Sequence, residues 1–193
     1  MAQLPNPKPI LLAARAGRAG AAEELLRAWA PVVLGWCNRL GGPKVNPEDA
    51  AQDVLMKVLT HLHTIRQPER FAGWLFQVTR SVVRQHRRAA WVRGWVPGLQ
   101  VEMVDEGSDP LAWCAEEQTA RRVQSALERL PDAQREVVVL CDLEERPAVE
   151  VAALLGIPAG TVKSRLRLGR ERFRRAAQHL GLAPEQLATR EEP

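Results

Sequence analysis

Tyrosine is absent from the 193 residues, phenylalanine occurs three times, and aromatics make up only 5% of the chain. Pleated sheets favour aromatic and β-branched side chains, whereas the apolar residues here are mostly Ala, Leu and Val, which suit helix packing. The sequence therefore predicts an all-α fold. Cysteine is also scarce: Cys37, Cys114 and Cys141 are widely spaced, odd in number and form no CxxC pair. That pattern encodes neither a disulfide framework nor a zinc site, and leaves the three as small, partly buried apolar residues. Long hydrophobic runs are missing too. The stretch 10–14 is cut off by Arg15 and Arg18, too short for a signal peptide or a membrane span. These absences fit a cytoplasmic protein without membrane insertion. No nucleophile with its base, no metal-ligand set and no Gly-rich phosphate loop is present, so neither enzymatic activity nor a cofactor or metal is expected.

What the chain does contain is arginine in two short stretches. The net charge is only +4, yet the pI is near 9.4, and this crowding points to a local anionic partner, nucleic acid first. Composition shifts in the middle. Between residues 95 and 118 there is no Lys or Arg, while Glu102, Asp105, Glu106, Asp109, Glu116 and Glu117 supply acid and Pro97, Gly98, Gly107 and Pro110 break regular structure. Residues 93–118 read as a flexible acidic linker between two small helical domains, 10–92 and 119–180, with loosely held tails at 1–9 and 181–193.

In the first domain, 21–34 has a helical pattern that Pro31 is expected to bend or restart. The next helix carries a threefold start signal: Asn46 as cap, Pro47 at the first position, and Glu48 and Asp49 at the positive helix end. Ala51, Val54, Leu55, Val58 and Leu62 form its apolar stripe, leaving Glu48, Gln52, Asp53 and Lys57 on the other side. A further helix over 70–90 lines one face with Phe71, Trp74, Leu75, Val78 and Val82, which read as core, and collects Gln77, Arg80, Arg84, Arg87 and Arg88 on another.

The second domain predicts helices over 119–130, stopped by Pro131, and over 132–141. A short helix over 148–155 follows, closed by Gly156, and Pro158 is expected at the first position of the last. The last helix carries Val162, Leu166, Gly169 and Phe173 on one side and Lys163, Arg167, Arg170 and Arg174 on an adjacent one. Two helices joined by a tight turn, the second basic, make a helix-turn-helix over 149–168. A merely soluble helix mixes its charges in i,i+4 pairs, whereas here Glu171 is the only acid between Glu150 and residue 180. This helix is therefore expected to contact DNA, with Thr161, Lys163, Ser164 and Arg167 near base edges and Arg170 and Arg174 on the backbone.

These residues resemble a known family, the extracytoplasmic-function (ECF) group of sigma-70 family RNA polymerase sigma factors. GTVKSRL at 160–166 resembles the start of its recognition helix, and ALERLP at 126–131 the run into its fourth conserved region. PEDAAQDVLMK at 47–57 resembles the second-region helix that docks on the polymerase clamp; FAGWL at 71–75 with VTR at 78–80 resembles the segment that melts and reads the minus-10 element. Together the matches cover most of residues 20–178 in family order. The resemblance implies a non-enzymatic sigma subunit that binds core RNA polymerase and directs promoter recognition and transcription initiation. Its implied partners are core polymerase, promoter DNA and an anti-sigma factor.

It places Thr161, Lys163, Ser164, Arg165, Arg167 and Arg170 on the minus-35 element and Arg80, Arg84, Arg87 and Arg88 on the minus-10 element. Asp49, Gln52, Asp53 and Lys57, within 49–62, fall in polymerase docking, and the loop 63–70 captures an unstacked base. Ser81 stands where the family tends to have Asn, and Glu145 and Pro147 where it tends to have Gly and a Ser cap. A free-standing helix-turn-helix regulator, dimerising on a palindrome and binding DNA alone, is the second reading; the linker and the docking helix favour the first.

Overall fold

The computed structural model describes residues 4–93 and 115–182, and every regular element among them is helical. The eight helices named here are α1 (Lys8–Arg15), α2 (Ala21–Gly41), α3 (Pro47–His61), α4 (Phe71–Arg93), α5 (Ala115–Glu128), α6 (Asp132–Val138), α7 (Ala148–Leu155) and α8 (Ala159–His179). Most of the stretch read as a linker lies outside the described residues, and its last residues, from Ala115, already belong to α5. The stretch read as an N-terminal tail is helical from Lys8 onward, and Leu4 packs against the core.

Local signals explain much of the first half. The Asn46 carboxamide accepts from the backbone N–H groups of Glu48 and Asp49 at 2.9 and 3.1 Å, capping α3. Pro31 does not end α2, which runs unbroken through it. The ring sits on the exposed side, and Leu25, Trp29, Val33, Trp36 and Cys37 bury the opposite face. That burial offsets the roughly 3 kcal/mol a mid-helix proline costs. Trp29 meets Phe71 and Trp36 meets Phe76 edge-on, each pair with ring centroids 5.1 Å apart. Phe71 is fully buried and Trp74 partly so.

In the second half α6 continues into a π-helical turn, Val139–Leu143, slightly longer than the helix expected over 132–141. Gly156, at φ 68°, closes α7 in the left-handed conformation that glycine adopts without a Cβ clash. Pro158 caps α8 one residue before its first turn, so Ala159 opens the helix. Gly169 lets α8 lie directly on α6: a Cβ there would sit 2.6 Å from Val138 Cγ2.

Among the described residues Glu145 is the non-glycine residue in the left-handed region, at φ 53°, and the Pro147 cap of α7 makes no side-chain hydrogen bond. A left-handed non-glycine residue costs about 1–2 kcal/mol, part of which glycine returns as chain entropy. Glu145→Gly is therefore expected to raise stability by about 0.5–1 kcal/mol; a urea midpoint at or below that of the parent would show that the side chain contributes more than its strain.

The two halves pack together. One buried cluster runs from Trp29, Trp36 and Phe71 to Leu127, Leu140 and Val151, and α4 lies against α7. α4 buries a wider arc than its expected stripe: Phe76, which meets Trp36 of α2, Thr79 and Val83 are buried as well as Phe71, Leu75 and Val82.

Both described cysteines are free. Burial pushes the Cys37 thiol up to about 12, and burial with the neighbouring Asp142 carboxylate takes Cys141 up to about 11 against the pull of Arg170. The thiolate is the reactive form, so in a Cys114→Ser chain both are expected to react slowly with an aromatic disulfide reagent at neutral pH and promptly in denaturant. Prompt labelling of the native chain would contradict this.

Candidate DNA and polymerase interfaces

The helix-turn-helix expected over 149–168 is formed by α7, the turn at Gly156 and α8. α8 is anchored by buried Val162, Gly169, Ala176 and Ala177, with Leu166 and Phe173 packed partly against the core. Its N-terminal turns carry Lys163, Ser164 and Arg167 exposed, and Thr161 and Arg165 half-buried. Ser164 donates its hydroxyl to the Thr161 carbonyl at 3.0 Å, which leaves the hydroxyl lone pairs for a further donor. The opening turn of a helix also has backbone N–H groups without intrahelical partners, which favours an anion. Arg170 is engaged by Asp142 of the π turn through its Nε and Nη2 at 2.7–3.2 Å. It therefore braces the π turn against α8, a partner that sequence spacing did not indicate.

On α3, Asp49, Gln52 and Asp53 are exposed and Lys57 is half-buried. Asp53 Oδ2 lies 2.8 Å from His86 Nε2 of α4. Two apolar residues missed in the sequence join this face. Met56 is 60% exposed and Leu59 45%, and positions 49, 52, 56 and 59 fall on one side at helical spacing. Exposed apolar side chains beside acids are the composition of a protein-binding surface.

The four arginines expected at the minus-10 element lie along α4, but three of them face the second half of the chain. Arg80 Nε is 2.6 Å from Glu136 Oε1, Arg84 Nε 3.1 Å from Asp132 Oδ2, and Arg87 Nη1 2.7 Å from Asp132 Oδ1. Arg88 is exposed. Glu136 is nearly buried, and that burial pushes its carboxyl up, opposed by Arg80 and Arg84. Gln77, Arg80, Ser81, Arg84, Gln85, Arg88 and Asp132 line an open groove of about 570 Å³ beside this contact. The loop 63–70 forms two 3-10 turns, Leu62–Thr64 and Pro68–Arg70, with Ile65 and Pro68 buried and His63, Arg66 and Gln67 exposed. Trp91, near the end of α4, is 61% exposed.

The sequence did not single out Arg135, the buried cation of α6. Its Nε donates to the Leu127 carbonyl at 2.7 Å and its Nη2 to those of Glu128 and Leu130 at 2.8 Å. One guanidinium thereby satisfies the end of α5, where terminal carbonyls lack intrahelical partners. Among the described residues no group of His, Cys, Asp or Glu is arranged to hold a metal ion, and no helix is long and apolar enough to cross a membrane.

An all-helical chain ending in a helix-turn-helix, with arginine gathered on two helices, defines a DNA-binding protein of two helical domains. Comparison with known proteins gives the family. The profile for sigma-70 region 2 matches residues 25–93 and that for sigma-70 region 4 matches residues 120–173. The chain is 31% identical over 170 residues to the ECF RNA polymerase sigma factor RpoE of Cereibacter sphaeroides, spanning 81% of this chain and 84% of the relative. To SigL of Mycobacterium tuberculosis it is 31% identical, spanning 86% and 96%. To SigE of Mycolicibacterium smegmatis it is 32% identical, over 79% of this chain and 60% of that longer relative. In fold it is similar to CnrH, solved in complex with the cytosolic domain of CnrY, with TM-score 0.66 and 21% identity over 91% of this chain and 99% of that one. It is also similar to the sigma factor RpoE of Bartonella quintana, solved in complex with the anti-sigma factor NepR, with TM-score 0.60 and 22% identity over 83% and 98%. The chain belongs to the ECF sigma factors of the sigma-70 family, the RNA polymerase subunits that direct promoter recognition and transcription initiation.

Proposed function

We propose that the chain acts as two interfaces carried by residues 10–92 and 119–180, the first docking on core polymerase and contacting the minus-10 element, the second reading the minus-35 element. The observation that carries this reading is the opening of α8, where Lys163, Ser164 and Arg167 stand exposed on a helix anchored by Val162 and Gly169. Thr161, Lys163, Ser164, Arg165 and Arg167 reach bases or flanking phosphates, and Arg170 braces α8 while facing the backbone. On α4, Arg80, Arg84, Arg87 and Arg88 supply phosphate contacts around the opened strand. Asp49, Gln52, Asp53 and Lys57, with Met56 and Leu59, form the polymerase face. The chain performs no chemistry of its own and needs no cofactor. It works in the cytoplasm beside the polymerase, and an anti-sigma factor is its third partner, supported by the complexes in which the two similar structures were solved.

In vitro transcription with purified core polymerase tests the reading. The parent chain is expected to direct initiation at discrete promoters only when core is present. Asp53→Arg is expected to weaken core binding about tenfold or more, placing one like charge where an opposite one belongs, with an unchanged melting curve. Binding to core as tight as the parent's would remove α3 from the interface; specific duplex binding by the chain alone as a dimer would favour a free-standing regulator.

A further inference from the structure

We infer that α1 is the back wall of the base-capturing loop: Leu11 is a positioning residue that holds the Pro68–Arg70 turn in place, so a helix set behind the loop controls how selectively the minus-10 element is read. This rests on the reading of the loop 63–70 as the segment that takes an unstacked base. α1 lies ahead of the region 2 match at residues 25–93. The loop itself has little to hold it. Its two 3-10 turns are closed by local bonds, from the Ile65 N–H to the Leu62 carbonyl at 3.3 Å and from the Arg70 N–H to the Gln67 carbonyl at 3.0 Å, and such turns are short and poorly bonded. Ile65 and Pro68 are buried, whereas His63, Arg66 and Gln67 are exposed. Pro68 has no N–H to donate, so the position of the second turn depends on packing. Two helices pack on that turn, α4 and α1. α4 follows it directly and is fixed at this end by Phe71, edge-on to Trp29. α1 comes to it from the far end of the domain's sequence.

α1 is held to α2 by a turn that leaves it little freedom. The Arg18 N–H bonds to the Ala13 carbonyl at 3.0 Å and the Gly17 N–H to the Ala14 carbonyl at 3.1 Å, with Gly17 at φ 75°. This pair of bonds around a left-handed glycine is a helix-ending motif. Gly20, also left-handed at φ 77°, opens α2, and Arg18 pairs with Glu24 in the first turn of that helix. At the start of α1 the Asn6 carboxamide accepts from the Lys8 N–H at 3.1 Å. Leu11 is 1% exposed and belongs to the core cluster that also holds Ile65 and Phe71, with Leu4 and Ile10 packed partly against it. A helix of eight residues is marginal in isolation; its ends are tied and its centre is buried, so it is part of the domain.

The consequence is measurable as selectivity. Taking a base out of its stack is costly and is repaid only by a pocket already in shape. If loosening α1 leaves the loop in place in about one chain in ten, the affinity gained through the captured base falls about tenfold. Leu11→Ala removes the buried side chain of α1, and Leu11→Met keeps its volume. Gly17→Val acts where a Cβ would meet no atom within 4 Å, so it loosens α1 through backbone strain alone and leaves every core side chain in place. Leu40→Ala is the control. It removes a similarly buried leucine of α2, about 16 Å along the helix from Trp29 and the loop.

Holoenzymes made with each variant are titrated with a fluorescent single strand carrying the minus-10 element of a promoter that the parent transcribes, intact or with an abasic site at each position in turn. The parent is expected to lose about tenfold in affinity when the captured base is missing. Leu11→Ala is expected to cut that loss to about twofold, by weakening the intact strand and leaving the abasic one unchanged, and Leu11→Met to restore it. Gly17→Val is expected to shrink the loss in the same direction. Leu40→Ala is expected to lower the melting temperature as Leu11→Ala does and yet keep the tenfold loss. A Leu11→Ala holoenzyme with the parent's loss, or a Leu40→Ala holoenzyme that sheds it equally, overturns the role of α1; where Leu11→Ala does not assemble with core, Gly17→Val with the parent's loss does so. The loop variant His63→Ala/Arg66→Ala/Gln67→Ala separates this inference from the reading beneath it. If the loop variant sheds the abasic loss while Leu11→Ala and Gly17→Val keep it, the loop assignment stands and the wall is wrong. If the loop variant keeps the loss as the parent does, the loop assignment fails and takes the inference with it.

Discussion

Arg135→Leu is expected to destabilise the chain by about 3–4 kcal/mol and to lower its melting temperature by roughly 10 °C. The guanidinium is 3% exposed and donates to the carbonyls of Leu127, Glu128 and Leu130 at the end of α5. Its Nη1 also lies 3.5 Å from the Leu40 carbonyl of α2 and 3.4 Å from Asp132 Oδ1. Leucine fills part of the volume but offers no donor, so the Glu128 and Leu130 carbonyls lose the guanidinium and the Leu127 carbonyl is left with the Leu130 N–H at 3.1 Å. An unsatisfied buried acceptor costs about 1–3 kcal/mol, with some recovered by relaxation. Arg135→Lys keeps the charge but replaces a planar fork with a single ammonium, and is expected to recover less than half of the loss. Thermal and urea unfolding of the two variants decide the matter: a Leu variant melting within a degree or two of the parent would mean that these carbonyls find other partners.

Arg135 also shows where sequence reading stops. In DAQRE it is one arginine in a polar run, and its burial depends on the end of α5 and on Leu40, 95 residues away in sequence. The features that were legible are local. Asn46 and the three residues after it specify the start of α3 through cap, proline and acids, and the structure places the cap bonds there. Gly156 before Ile157 and Pro158 similarly specifies the turn of the helix-turn-helix. Pro31 misled because its cost is local while the burial that offsets it, through Trp29, Val33 and Trp36, is tertiary. The arginines of α4 were legible as a basic face, but their partners Asp132 and Glu136 lie about fifty residues further along the chain. Each half therefore looked self-contained, and the contact between them carried no periodic signal. Met56 and Leu59 were hidden differently. They fall outside the apolar stripe of α3, and apolar residues outside a stripe gain meaning only once neighbouring helices are seen to leave them uncovered.

Sequence reading by α8 is expected to depend on position along the helix. Lys163 and Arg167 are one turn apart in its first turns and both are exposed, with Val162 and Gly169 anchoring the opposite side. A helix entering the major groove by its N-terminal end brings such side chains to base edges. Replacing either by Ala is therefore expected to cost about 1–3 kcal/mol of promoter affinity and to relax preference at one or two upstream positions. Arg174 is equally exposed but lies two turns beyond Arg167, where a helix inserted by its N-terminal end is expected to have left the groove, with phosphate in reach. Arg174→Ala is expected to weaken binding by a similar factor on every sequence and to lower the salt slope by about 1, since one fewer counterion is displaced. Arg170 supplies the internal comparison. Asp142 already holds its guanidinium, so Arg170→Ala is expected to shift the orientation of α8 as well as remove a cation, lowering melting temperature together with affinity. Salt titrations of holoenzyme on a cognate and a scrambled upstream element separate these outcomes. If Lys163→Ala and Arg167→Ala both leave the ratio of the two affinities unchanged, the exposed face of α8 is a solvated surface and promoter preference is read elsewhere in the chain.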